Sequence, residues 1–177
     1  MWKADSWLEA QYGEAVRAHE AARRTQSPEE RRNGLIRALR ESLGEFAPNP
    51  DFEPTLLERV PCDGYIRERV ELSATPGLSF AAYVLIPDGA DGPVPGVLAL
   101  HGHGYGSREI VGLKPDGSPD TGKPTAHRHF ALQLVHRGLA VIAPDVVGFG
   151  ERRLDADLRG NPDAPNSCYR LATQLMM

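Results

Sequence analysis

The sequence predicts an α/β protein with a mixed sheet, an antiparallel hairpin followed by a parallel strand–helix–strand unit. Residues 64–72 alternate apolar and polar side chains, and after a Pro-Gly turn residues 78–86 form the returning strand. Residues 97–100 and 139–143 are instead unbroken apolar runs, which is typical of strands covered on both faces. A helix-length segment separates these two runs, so we expect them to pair in parallel.

The N-terminal part of the chain is predicted to be a helical arm followed by an extended connector. Residues 27–30, Ser-Pro-Glu-Glu, combine a capping serine, a proline at the first helical position and a glutamate that reaches back to the cap. Apolar residues then recur at helical spacing until Gly44 ends the helix. Several prolines make residues 45–64 an extended connector. We therefore assign arm and connector to residues 1–57 and the core to residues 58–177.

Two long polar loops and two helices complete the predicted core. Residues 105–124 are predicted to form a loop, and a helix with one apolar face then runs from about residue 125 to Gly138. A second loop rich in glycine and proline covers residues 146–166. A last helix is predicted to follow it, through Met176.

The amino-acid composition and net charge are typical of an ordinary soluble domain. The 177 residues have a formal charge of −4, with 41% hydrophobic and 25% charged residues, so we expect no nucleic-acid partner. No apolar run approaches the roughly 20 residues needed to cross a bilayer, and the N-terminus lacks the apolar segment of a secretory signal. Two cysteines are too few for a disulfide framework. We therefore expect a cytoplasmic protein without a membrane partner.

Three stretches of the core resemble the α/β-hydrolase superfamily. They are PGVLALHGHG at residues 95–104, LVHRGLAVIAPDVVGFGERR at residues 134–153 and the hairpin at residues 64–87. More closely, they resemble the branch that contains dienelactone hydrolases, acetyl xylan esterases and cephalosporin deacetylases. The resemblance implies the N-terminal half of an α/β-hydrolase core. It also implies hydrolysis of a small-molecule carboxylic ester through a Ser-His-Asp triad, with no cofactor.

The resemblance also implies roles for residues after the first buried strand. The backbone N–H of His103 matches the family's oxyanion-hole donor, and Gly104 belongs to the same loop. Each fixed donor stabilises the negatively charged carbonyl oxygen of a tetrahedral intermediate by about 3–4 kcal/mol. His101, Gly102 and Asp145 match structural positions near the site.

The sequence departs from the family pattern at the nucleophile. The family's serine lies in G-x-S-x-G, a motif that these 177 residues lack; the nearest match, residues 77–81, lies inside the hairpin. No histidine follows His136, so the later triad members are also missing. We therefore predict a chain truncated before the nucleophile and inactive alone. Tyr105, Ser107 and Arg108 are candidates for substrate contact in the loop after Gly104.

Two other functions fit the same residues. The strand Val97–Leu100 would normally pair with the nucleophile strand, so its open edge predicts association with a complementary chain or a second copy. Alternatively, His101 and His103, with His127 and His129, form two H-x-H pairs of the kind that metal-dependent hydrolases use. The helical position of the second pair disfavours convergence on one ion, and we expect no metal.

Overall fold

The computed structural model of the protein describes residues 5–45, 53–75, 77–89, 91–123, 126–160 and 166–175. It divides into two compact units, Met1–Phe46 and Ala47–Met177, which are described separately below. Among the described residues, no helix combines the length and the apolar character that crossing a membrane requires.

The first unit contains two helices, α1 (Asp5–Thr25) and α2 (Pro28–Leu43). The predicted capping box of α2 is confirmed. The Glu30 N–H donates to Ser27 Oγ at 3.2 Å, and the Ser27 N–H donates to Glu30 Oε2 at 2.8 Å. The bond from the Ser27 backbone lowers the pKa of Glu30, because it favours the charged carboxylate. Gly44 ends the helix with φ of 74°, as predicted.

The described part of the second unit is built on a mixed sheet of five strands. They are β1 (Thr55–Cys62), β2 (Tyr65–Thr75), β3 (Leu78–Pro87), β4 (Gly96–Leu98) and β5 (Ala140–Pro144). Their order in the sheet is β1-β2-β3-β5-β4. Of these neighbours, β4 and β5 pair in parallel, with Val97 opposite Val141, and the other pairs are antiparallel. The predicted hairpin and parallel pair are therefore confirmed.

The prediction of an extended connector over residues 45–64 is wrong for β1. This strand pairs along β2, from Thr55 opposite Glu71 to Cys62 opposite Tyr65. Its prolines suggested a connector, but an edge strand tolerates proline where the N–H would face away from the sheet. Pro61 lies in β1, which is an edge strand.

The first of the predicted polar loops is partly core. Residues 107–110 form the short helix α3 (Ser107–Ile110), and Ile110, Val111 and Leu113 are buried with at most 2% of their surface exposed. These three apolar residues pack in the same cluster as Leu85. The burial of that cluster, rather than local propensity, holds the segment in place.

The remaining helices of the second unit are short. The helix predicted to begin near residue 125 starts at Phe130, because Arg128 and His129 have left-handed φ values of 50° and 46°. A final helix after the second loop is confirmed. These helices are α4 (Phe130–Val135), α5 (Asp155–Gly160) and α6 (Cys168–Leu175).

The core lies on both faces of the sheet. One cluster contains Tyr83, Leu85 and Val141 with the apolar residues of α3 and α4; the other contains Val70, Leu72 and Ala82. The alternation along β2 and β3 divides the side chains between these faces. Among the described strands, β4 neighbours only β5 and lies at the edge of the sheet, so the prediction that it is covered on both faces is wrong: Leu98 is 61% exposed. The chain after β4 enters the loop described next.

Candidate active-site loop

The loop after β4 is fixed by the buried side chain of His101. Its Nε2 accepts the Val146 N–H at 3.0 Å, and its Nδ1 lies 2.9 Å from the carbonyl oxygen of Gly102. Because a backbone N–H can only donate, Nε2 carries no proton and Nδ1 is the donor. His101 is therefore a neutral link between the loops that follow β4 and β5. Asp145 Oδ1 lies 3.9 Å from Nε2, too far for a hydrogen bond.

Asp145, at the end of β5, joins the same two loops. Its Oδ1 accepts the Ser107 N–H at 2.6 Å, and its Oδ2 accepts the Glu151 N–H at 2.9 Å. The Asp145 side chain is 8% exposed, so these charge-assisted bonds are shielded from water. Both oxygens are occupied by backbone donors, which gives Asp145 the geometry of a structural carboxylate.

Two glycines allow the backbone to approach that carboxylate. Gly106 has φ of 103°, and a Cβ built there would lie 2.5 Å from Asp145 Oδ1. Gly150 has φ of 51°, and a Cβ there would overlap the Asp145 carboxylate. Both positions combine a left-handed conformation with a close contact, so a larger residue would push the two loops apart.

His103 lies exposed at the tip of the loop. Its carbonyl oxygen accepts a bond from His127 Nε2 at 3.0 Å, and the His127 ring packs against Gly102. Its own ring contacts Phe149 edge-on, with ring centres 5.6 Å apart, and its Nε2 lies 3.2 Å from Cys168 Sγ. Among the described residues, the structure gives the His103 backbone N–H no hydrogen-bond acceptor.

The three candidates for substrate contact differ in accessibility. Tyr105 donates its hydroxyl to the Leu113 carbonyl at 3.0 Å, and burial raises the pKa of this phenol. Ser107 is 2% exposed, so it contributes to packing rather than to an accessible surface. Arg108 is partly buried and pairs with Glu151 at 2.7 Å, which ties α3 to the loop after β5.

Arginines anchor the loop after β5 to the sheet. Arg69 of β2 pairs with the second carboxylate oxygen of Glu151. Arg152 donates to the Asp145 carbonyl at 3.0 Å and lies over the Phe80 ring, 4.6 Å from its centre. Burial lowers the pKa of Arg152, partly offset by Asp145. The loop is thus held from both β2 and β3.

Comparison with known proteins assigns this chain to a family. A family model described as the Abhydrolase family matches residues 18–171. The chain belongs to that family. The predicted relationship to α/β-hydrolases is therefore confirmed.

A solved structure of a proposed esterase is also similar to this Abhydrolase-family chain. The crystal structure of a proposed acetyl xylan esterase from Bacteroides fragilis aligns with a TM-score of 0.63 and 26% sequence identity. The alignment covers 86% of this chain and 39% of the esterase, so the chain spans well under half of that protein's length. A search of curated proteins found no match.

The geometry gives the metal alternative no support in this Abhydrolase-family chain. Both ring nitrogens of His101 bond to the backbone, and His127 Nε2 bonds to the His103 carbonyl. His129 Nε2 lies 3.2 Å from Asp120 Oδ2, within its own loop. The two H-x-H pairs do not converge, and no group of three or more metal-binding side chains occurs within the part of the chain that the structure describes.

Sequence reasoning did not single out two groups beside the loop. No histidine lies near Cys168 in the sequence, yet its thiol contacts His103 across 65 residues. Glu109 is 5% exposed, accepts the Tyr105 N–H at 3.4 Å and fills the space where a side chain at Gly104 would lie. No local pattern in the sequence marks either contact.

Proposed function

We propose that these residues supply the oxyanion-binding part of a serine-type carboxylic-ester hydrolase that acts on a small-molecule ester. The observation that carries the proposal is the His103 backbone N–H, which follows strand β4 and is left without an acceptor among the described residues. Family membership supports a hydrolase. The similarity to a proposed acetyl xylan esterase makes acetyl esters the first substrates to test.

The surrounding bonds suit an oxyanion donor. His101 ties the loop to Val146, and Asp145 ties it to the backbone at Ser107 and Glu151. A donor fixed before the reaction needs no reorganisation when charge develops on the carbonyl oxygen. Only the backbone of His103 takes part in this role, with Gly104 continuing the loop.

We also propose that the 177-residue chain has no triad activity by itself. It contains no G-x-S-x-G sequence. The segment that most resembles this motif, residues 77–81, contains Ser79. This serine lies opposite Ser73 inside the antiparallel hairpin and does not lie at a strand-to-helix turn. That turn is what exposes the nucleophile in α/β-hydrolases. Incubation with a fluorophosphonate probe should therefore label no serine, and specific labelling of one serine would overturn this part of the proposal.

The first measurement is the intact mass of the protein from its native source. A mass well above 19.3 kDa, the mass of this sequence, provides a longer protein in which the oxyanion role can be tested. In that protein His103→Pro removes the backbone N–H, whereas the matched His103→Ala variant keeps it. We expect His103→Pro to lower kcat for an acetyl ester by about 100- to 1,000-fold and His103→Ala to retain most activity. Equal activity of the two folded variants would contradict the assignment.

A second function is favoured by the exposed edge of β4. Of the strands that the structure describes, this one pairs with β5 only, and Leu98 and Leu100 are 61% and 54% exposed. An open edge with apolar side chains can pair with a complementary chain or a second copy. We expect sedimentation to show an oligomer that Leu98→Lys weakens. Leu57→Lys, at a 47% exposed site on the other edge strand, is the control. A wild-type monomer at all concentrations would exclude self-association.

A further inference from the structure

Two reactive side chains from distant parts of the sequence meet beside the candidate active-site loop. His103 Nε2 and Cys168 Sγ are 3.2 Å apart, although 65 residues separate them in the chain. We propose that His103 and Cys168 form an activated thiol pair, at which low-molecular-weight disulfides modify Cys168 reversibly. This site is separate from the serine chemistry proposed above and does not depend on it.

The geometry allows His103 to accept the thiol proton. The short contact joins a nitrogen that can bind a proton to a sulfur that can release one, which is the arrangement of an activated nucleophile. The edge-on contact with Phe149 and the bond from His127 to the His103 carbonyl hold this histidine in place. The imidazole is therefore positioned at the sulfur.

The position of the cysteine in α6 favours the same charged pair. Cys168 is the first residue of this eight-residue helix, where the helix dipole stabilises negative charge. Its own N–H donates to Asn166 Oδ1 at 3.2 Å, which fixes the start of the helix. Cys168 is only partly buried and His103 is exposed, so a small reagent can reach the sulfur.

The reaction is a thiol–disulfide exchange. The Cys168 thiol gives its proton to His103 Nε2, and the thiolate attacks one sulfur of the disulfide. A new S–S bond forms to Sγ while the reagent's S–S bond breaks, and the departing thiolate takes the proton from the imidazolium. Cys168 is oxidised to a mixed disulfide, and one half of the reagent is reduced to a thiol. The attached group then lies beside the loop that carries the His103 N–H.

The other cysteine of the chain is a built-in control. Cys62 is also partly buried, but it packs against the core and its thiol donates to the Val60 carbonyl at 3.7 Å. Its other polar neighbour is the Tyr65 hydroxyl, and the described residues give it no imidazole partner. The two thiols therefore compare a cysteine that contacts an imidazole with one that does not.

The test measures the reaction of each thiol with dithiodipyridine in the 177-residue protein, with mass spectrometry to locate the modified cysteine. A free cysteine is only a few per cent thiolate at pH 7, so full transfer of the proton can raise the rate by at most about 30-fold. The lower nucleophilicity of a more acidic thiol removes part of that gain. We expect folded Cys168 to react about tenfold faster than the same residue in urea, each normalised to glutathione in the same solvent. We expect folded Cys62 to react more slowly than in urea.

Two variants distinguish activation of the Cys168 thiol by His103 from simple exposure of that thiol to the reagent. His103→Gln should remove the acceleration of Cys168 in the folded state and leave its rate in urea unchanged. His136→Gln applies the same substitution to an exposed histidine whose ring packs against Tyr65 instead, and it should keep the acceleration. The ultraviolet absorption band of a thiolate should be present in the wild type and lost in His103→Gln and Cys168→Ser.

Two results would overturn the proposal. One is a folded Cys168 that reacts no faster than in urea, a comparison that needs no variant and is unaffected if His103→Gln fails to fold. The other is an unchanged rate in a folded His103→Gln variant. Modification by oxidised glutathione, reversed by a reducing thiol, then checks that the site accepts a natural small disulfide.

Discussion

Replacing Asp145 by asparagine tests the inference that one buried carboxylate holds the two active-site loops together. The change keeps the size of the side chain but replaces one acceptor oxygen with an NH₂ group. That group would face either the Ser107 N–H or the Glu151 N–H, now bonded at 2.6 and 2.9 Å. One charge-assisted bond is lost, and one buried donor is left without a partner.

The expected magnitude follows from these two changes. Hydrogen bonds to charged groups contribute about 1.5–3 kcal/mol, and an unsatisfied buried donor costs about 1–3 kcal/mol. The two effects overlap, so we expect Asp145→Asn to lower the free energy of unfolding of the second unit by about 2–4 kcal/mol. For a chain of this size that corresponds to a decrease in Tm of about 5–15 °C.

The assay must follow the second unit, because both tryptophans, Trp2 and Trp7, lie in the first. Near-ultraviolet circular dichroism of the buried Tyr65 and Tyr83 is a suitable probe of urea unfolding. Asp155→Asn is the matched control, because that carboxylate is 82% exposed and its ion pair with Arg159 contributes little.

The result that would refute the inference is a folded Asp145→Asn protein within about 0.5 kcal/mol of wild type, the range expected for an ordinary surface substitution. Asp145 would then not hold the loops. A large loss in the Asp155→Asn control would instead show that the assay reports general loss of charge. Only a large loss in Asp145→Asn combined with a small loss in the control supports the inference.

Other predictions concern the core and the cap of α2. Leu85→Ala, at a fully buried site, should destabilise the second unit by about 2–5 kcal/mol in urea unfolding. Leu98→Ala, at the exposed edge, should not. Equal losses of stability in the two variants would contradict the core assignment. Because the pKa of Glu30 is lowered, its stabilisation of α2 is present above the ordinary value of 4.5 and is lost as pH falls through the lowered value. Protection of the amides at the start of α2 against hydrogen exchange should fall there, and Glu30→Gln, which removes the titrating carboxylate, should abolish this pH dependence.

Local patterns in the sequence were enough to predict the hairpin, the parallel pair and the cap of α2. Alternation along residues 64–72 records that different environments cover the two faces of this strand, and this information is contained in neighbouring residues. The unbroken apolar run at residues 97–100 predicted the parallel pairing but not the exposure of β4, because exposure depends on which strand lies beside it. The capping box likewise joins residues three apart. The loop after β4 was found because glycines follow an apolar run directly.

Contacts between distant residues were decided only by the tertiary structure. Strand β1 exists because β2 offers it a partner, and its own prolines indicated a connector. Residues 107–113 are held in place because the core buries their apolar side chains. Asp145 binds a backbone N–H 38 residues earlier, and Cys168 meets His103 across 65 residues. Periodicity describes the environment of one element, whereas these contacts depend on how separate elements pack together.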